Sequence, residues 1–159
     1  MGSDLALHLS SVFPLNAAVF ASTVLEFKDY FGPRILTPLF HRIVPFRDKK
    51  LSYPKAIRDK LNYFGYNVWP MSAVNEMRKL TNKVKKELPK IKCPALIIHS
   101  TKDILSLQSN ISLVYDNISS EIKEKFIVHQ ANHNLFINNP DQEQIFQKIN
   151  SFFNQFQRN

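Results

Sequence analysis

The sequence predicts an α/β fold: a parallel sheet of about three strands covered by helices. Three observations predict it. Residues 95–100, Ala-Leu-Ile-Ile-His-Ser, form an apolar, β-branched run bounded by Pro94. A second short run, Phe126-Ile127-Val128-His129, lies further along the chain. The segments around both runs carry apolar residues every three or four positions. Strands that alternate with helices are joined by crossovers and so run parallel.

Residues 3–13 read as a helix, with Leu5, Leu9 and Val12-Phe13 on one face. Asp4 suits its first turn, where the helix dipole is positive. Residues 17–22 read as a short apolar strand. Residues 26–53 have no clean period and carry Gly32, Pro33, Pro38 and Pro45. Residues 55–64 read as a helix, and residues 70–88 as an amphipathic one. In the latter, Pro70 enters the first turn and Met71, Val74, Met77, Leu80, Val84 and Leu88 form the stripe. After the strand at 95–100 come a helix over about 107–118 and the strand at 126–129. The last helix has Asn139 as its cap and Pro140 at its first position, with Ile145, Ile149, Phe152, Phe153 and Phe156 inward. The expected core gathers Leu96, Ile98, Ile127, Ile145 and Phe152.

Composition narrows the function classes. A chain of 159 residues suits one domain, and 44% hydrophobic content supports a core. Three glycines, with no G-x-G-x-x-G or P-loop pattern, argue against a phosphate-cradling loop. The single cysteine, Cys93, excludes an intrachain disulfide and a cysteine-based zinc site, and reads as a buried, inert thiol. The formal charge is +8, from 21 basic and 13 acidic residues, and lysines cluster at 49–50, 83–86 and 90–92. Aromatics do not interleave with them and no nucleic-acid motif accompanies them, so they read as solvated helix faces. No long apolar span or signal peptide is visible, so the expectation is a cytoplasmic protein with no integral membrane segment and no nucleic-acid partner.

Two residues carry the candidate chemistry. Asp103 lies just past the strand at 95–100, and His133, in Asn132-His133-Asn134, just past the next strand. An imidazole titrates near neutral pH and suits a general base. A carboxylate can hold its tautomer and stabilise the imidazolium. Taken separately, Asp103 is an ordinary turn residue and His133 an ordinary loop histidine. Taken together, after successive strands, they read as an acid and its base. His8, His41, His99 and His129 form no H-x-x-x-H or H-E-x-x-H pattern, so no metal and no cofactor is expected. Ser3, Ser22 and Ser100 are the serines to weigh as nucleophiles, and none sits in G-x-S-x-G.

The start of the chain adds a resemblance. Met1-Gly2-Ser3-Asp4-Leu5-Ala6 resembles the stretch just past the nucleophile in the G-x-S-x-G elbow, Met1 being the residue after the serine and Gly2 the closing glycine. Met-Gly-Ser is also a common chain start. With residues 19–22, Gly65-Tyr66 before Pro70, the run at 91–100 leading to Asp103, Asn132-His133 and Phe152-Phe153, the chain resembles the second half of an α/β-hydrolase. The group resembled is that of monoacylglycerol lipases, carboxylesterases and serine aminopeptidases. The resemblance implies a partial α/β-hydrolase domain over 1–159. It has a lid insert at about 26–88 and an acid- and histidine-bearing core at 91–159. It implies Asp103 and His133 as catalytic residues, and Met1 and Gly2 as elbow and oxyanion remnant. The nucleophile serine, the strands before it and the loop giving the second oxyanion donor are absent. Aromatics of the insert, Phe27, Tyr30, Phe31, Phe40, Tyr63, Phe64, Tyr66 and Trp69, either line an acyl pocket or pack the lid. Two readings stay open: part of a carboxylic-ester hydrolase, completed by an N-terminal half and acting on a small ester or lipid, or a non-catalytic remnant. A basic binding module ranks below both.

Overall fold

The computed structural model describes residues 1–27, 37–48, 66 and 68–156. In chain order the elements are α1 (Gly2–Val12), β1 (Ala18–Ala21), α2 (Thr37–Phe40), β2 (Phe46–Asp48), β3 (Val68–Pro70), α3 (Met71–Glu87), β4 (Ala95–Ser100), α4 (Ser109–Asn117), β5 (Lys123–Val128) and α5 (Gln142–Asn154). A 3-10 turn, Leu88–Lys90, comes after α3. The chain divides into two compact units, one of Met1–Lys28 with Leu80–Asn159, the other of Asp29–Lys79.

The first unit holds a three-stranded parallel sheet in the order β1-β4-β5. Ala18 pairs with Ala95 at one boundary and Ser100 with Val128 at the other. All six residues of β4 are buried, because a central parallel strand is covered on both faces. That is why its sequence runs apolar without alternation. On one face Phe20, Ala95 and Ile97 pack with Leu7 of α1, Ile111 and Val114 of α4, and Val84 and Leu88. On the other, Leu96, Ile98 and Val128 pack with Ile145 and Phe152 of α5. Each buried Val, Leu, Ile or Phe among them contributes about 1.5–3 kcal/mol of transfer free energy.

The second unit contains a two-stranded antiparallel ribbon, Phe46↔Pro70 to Asp48↔Val68. No period is visible there in sequence, since three exposed or half-buried residues per strand show no apolar face. The helix expected over 55–64 lies outside the described residues.

Several expectations change. The apolar stripe of α1 faces outward: Leu5, Leu9, Val12 and Phe13 are exposed, and Asp4, Leu7 and Ser10 are the buried positions. Hydrophobic spacing reveals a helix but not which side the rest of the chain covers. Pro70 ends β3, where a residue without an N–H is tolerated, and α3 starts after it. β5 begins three residues earlier than expected, at Lys123, because an edge strand accepts the charged Lys-Glu-Lys that masks it in sequence. For the same reason Ile127, an expected core residue, is exposed and Phe126 packs inward instead. Phe153 is likewise partly exposed. Asn139 and Pro140 precede α5, whose N-cap position is Asp141, and the Asp141 side chain makes no cap bond to the helix backbone. Cys93 lies in the loop before β4 and is half-buried, with its thiol pushed up by burial.

Candidate active site

The acid loop springs from the carboxyl end of β4. Asp103 Oδ1 accepts the N–H groups of Leu105 and Ser106 at 2.8 and 3.0 Å, which folds the loop around the carboxylate. Its other oxygen, Oδ2, lies 2.8 Å from His133 Nδ1. The Asp103 side chain is buried, whereas that of His133 is 26% exposed. Burial pushes the Asp103 carboxyl up, but the His133 hydrogen bond, the Ser106 N–H, the His133 charge and the Leu105 N–H bring it below its ordinary value. An ionised Asp103 accepts a hydrogen bond from Nδ1–H, which leaves the lone pair of the imidazole on Nε2.

The histidine loop comes after β5 and is held by several hydrogen bonds, among them the Asn139 amide on the Leu135 carbonyl at 2.8 Å. Asp141 Oδ2 accepts the N–H groups of Gln130 and Ala131 at 2.6 and 2.8 Å. Burial acts to raise the Asp141 carboxyl, but these donors, the Gln144 amide and the His129 N–H lower it overall. Ser100 Oγ donates to the Ala131 carbonyl. Ser22 Oγ donates to the carbonyl of His133 itself at 3.0 Å.

Across the cavity wall from these loops, Met1 is the N-cap of α1 and Gly2 its first residue. Asp4, fully buried, accepts the Val24 N–H at 3.3 Å and places its second oxygen 3.2 Å from the Met1 nitrogen. That is the reach of an acid at the third helical position back to the cap. A Cβ added to Gly2 would meet nothing within 4 Å. Nothing among the described residues therefore requires a glycine there.

Met1, Gly2, Ser3, Ser22 and His133 meet on the wall of one cavity of about 440 Å³. Ala6, Val19, Ala21, Leu135, Phe136, Ile137 and Ile149 supply its apolar lining. Three of the four expected site residues, Met1, Gly2 and His133, thus share it, and Asp103 stands behind His133. The other histidines disperse. His8 Nδ1 lies 2.7 Å from Glu87 Oε2, His41 Nδ1 is 3.0 Å from the Thr37 carbonyl, and His129 Nδ1 is 3.4 Å from Thr101 Oγ1. His99 is buried, with Nε2 4.0 Å from Asp103 Oδ2. Among the described residues no group of three or more His, Cys, Asp or Glu side chains is placed to hold a metal ion.

The sequence matches the family described as "Serine aminopeptidase, S33" over residues 13–141, well over half of the chain. The chain belongs to the serine aminopeptidase S33 family. Solved structures of lipases share the fold of this S33 chain. A monoacylglycerol lipase from Paleococcus ferrophilus superposes with a TM-score of 0.78 at 16% identity, over 98% of this chain and 65% of that one. A soluble variant of the Saccharomyces cerevisiae monoglyceride lipase, solved with a substrate analog, gives 0.76 at 14% identity, over 98% and 62%. A structure reported with the metagenome-derived lipolytic enzymes LipS and LipT gives 0.75 at 21% identity, again over 98% and 62%. The S33 chain therefore spans about three fifths of the length of these relatives. No curated protein matches it. Among the described residues no helix is long and apolar enough to cross a membrane.

Sequence reasoning missed Ser22, Asp141, Ser100 and Asp4 as supports of this S33 site. Asp141 stood two residues from the cap position assigned to Asn139. Asp4 was legible only as a first-turn acid of α1, and Ser22 and Ser100 offered no signal as supports, because their partners are distant in sequence.

Proposed function

We propose that this chain carries the acid and base of a Ser-His-Asp hydrolase of carboxylic esters, of the carboxylesterase or monoacylglycerol lipase type. Its nucleophile serine is supplied from outside the 159 residues. The observation that carries the reading is the 2.8 Å contact of Asp103 Oδ2 with His133 Nδ1, across 30 residues of sequence, beside a cavity that His133 lines. The serine gives its proton to His133 Nε2 and attacks the ester carbonyl. Asp103 stabilises the imidazolium, which then protonates the departing alcohol. Water repeats the sequence on the acyl-enzyme. The Met1 nitrogen takes the place of the backbone donor after the nucleophile. Val19, Ala21, Leu135, Phe136 and Ile149 suit an acyl chain. No step calls on a cofactor or metal.

The whole of 1–159 is assigned to one partial hydrolase domain. Residues 91–159 carry the acid and base, and 26–88 serve as the lid, on their place in the chain. The substrate is a small ester or lipid, the partner a complementary N-terminal half, and the compartment the cytoplasm. The test is co-expression with an N-terminal half of a relative that ends in Gly-x-Ser, assayed with a short-chain p-nitrophenyl ester. The expected result is turnover that His133→Ala abolishes, with negligible activity in the chain alone, since loss of a triad serine costs about 10⁶-fold. Turnover indifferent to His133→Ala would remove the assignment. The chain's cover of only 62–65% of its relatives favours a second reading, a remnant without activity. Assembly with no turnover decides for it.

A further inference from the structure

β1 stops at Ala21, and the next residue turns the chain sharply. Ser22 has φ 48°, in the left-handed region that residues with a Cβ rarely adopt. It is also buried. Such a conformation persists where the surroundings over-determine it. The residues after it are tied on two sides. Thr23 Oγ1 lies 2.6 Å from Ser3 Oγ, and Val24 donates to Asp4, so the segment is fixed to α1. Ser106 Oγ donates to the Thr23 carbonyl at 2.6 Å, which fixes it to the acid loop. Asn110 takes both sides of Glu26, accepting its N–H at 2.7 Å and donating to its carbonyl at 3.0 Å.

Ser22 is the member of this segment that reaches the histidine loop, through its bond to the His133 carbonyl. Two other anchors before the histidine, Asp141 and Ser100, act at residues 130 and 131, and the Asn139 amide holds the Asn134 and Leu135 carbonyls after it. The Ser22 hydroxyl is the anchor that bonds the backbone of the histidine itself.

We propose that Ser22 is a positioning residue of the site: its hydroxyl fixes the His133 backbone so that Nδ1 stays on Asp103. The elbow helix, the acid loop and the histidine loop are thereby joined through one short segment. The inference rests on the reading of Asp103 and His133 as the acid–base pair, but its test needs no turnover.

The experiment is proton and nitrogen NMR of the full chain, wild type against Ser22→Ala and Ser22→Gly. Alanine removes the hydroxyl and keeps a Cβ. Glycine removes the hydroxyl and is at ease at positive φ, so it remains folded even if alanine does not. The wild type is expected to show a downfield Nδ1–H proton from His133 that disappears in Asp103→Asn. Its absence in the wild type would overturn the acid–base pair and this proposal with it. Given that signal, both Ser22 variants are expected to lose it and to show a mixture of imidazole tautomers, with thermal unfolding still cooperative. An unchanged Nδ1–H signal in folded Ser22→Gly would overturn the positioning role and leave the acid–base pair standing.

Discussion

Burial acts on Asp4 and Asp103 alike, yet the two carboxyls move in opposite directions. Asp103 has donors enough to outweigh burial and lies below its ordinary value. For Asp4, burial prevails over the Met1 charge, the Val24 N–H and the His133 charge, and the carboxyl lies above it. The sign of each contribution to stability comes from linkage. A depressed Asp103 stabilises the fold above the unfolded value, near 3.9, and that contribution is lost as pH falls through the lower folded value. A raised Asp4 favours the fold below the unfolded value, and loses that contribution as pH rises through the higher folded one. Urea unfolding between pH 3 and 8 checks both. The deficit of Asp103→Asn relative to wild type is expected to shrink toward acid. Asp4→Asn is expected to gain on wild type as pH rises from 4 to 7, and a loss over that range would mean that burial is not the dominant influence on Asp4. In the complemented enzyme, Asp103→Asn is expected to lower turnover by about 10⁴-fold, the cost seen when the orienting acid of such a triad is neutralised.

At the scale of elements, the two helices flanking β1 differ in what they cover. α5 buries Ile145 and Phe152 completely against Leu96 and Ile98. Phe152→Ala is expected to cost about 3–5 kcal/mol by urea denaturation, whereas Ile127→Thr on the β5 edge is expected to stay within about 1 kcal/mol. α1 leaves Leu5, Leu9, Val12 and Phe13 open to water. An apolar row of that kind favours association. The wild type is expected to sediment as oligomers, and Leu5→Gln with Leu9→Gln to shift it toward monomer. Sedimentation velocity reads the difference, and a monodisperse wild-type monomer would count against the row as a contact surface. The positions of β4, α3 and α4 were legible in sequence because a β-branched run between Pro94 and Thr101 and three- to four-residue spacing are local signals. The outward turn of α1 and the extra residues of β5 were not, since both depend on which neighbours are present rather than on the segment itself. The same division holds at the site. Asp103 and His133 are marked by their places after strands, but Ser22 and Asp4 are recruited by partners far along the chain.

At the scale of the whole molecule, the sheet joins segments of very different separation. Residue 95 of β4 pairs with residue 123 of β5, close by in sequence, and with residue 18 of β1, which the whole second unit separates from it along the chain. Among the described residues β1 has β4 as its one neighbour in the sheet. The distant pairing carries a closure cost about 0.9 kcal/mol above that of the near one, by the logarithm of loop length. The pair β4–β5 with α4 is therefore expected to close first, and α1 with β1 to dock afterwards. Amide hydrogen exchange is expected to show the reverse order of release, with Val19 and Phe20 exchanging through openings that leave Ile97 and Ile98 protected. Equal protection across the three strands would rule that order out. The logarithm has a second consequence, for the sequence between β1 and β4. Doubling its length adds only about 0.6 kcal/mol to the closure of the sheet. A chain of this architecture can thus lengthen, shorten or exchange the segment over residues 29–79 while Asp103 and His133 stay where the loops after β4 and β5 put them.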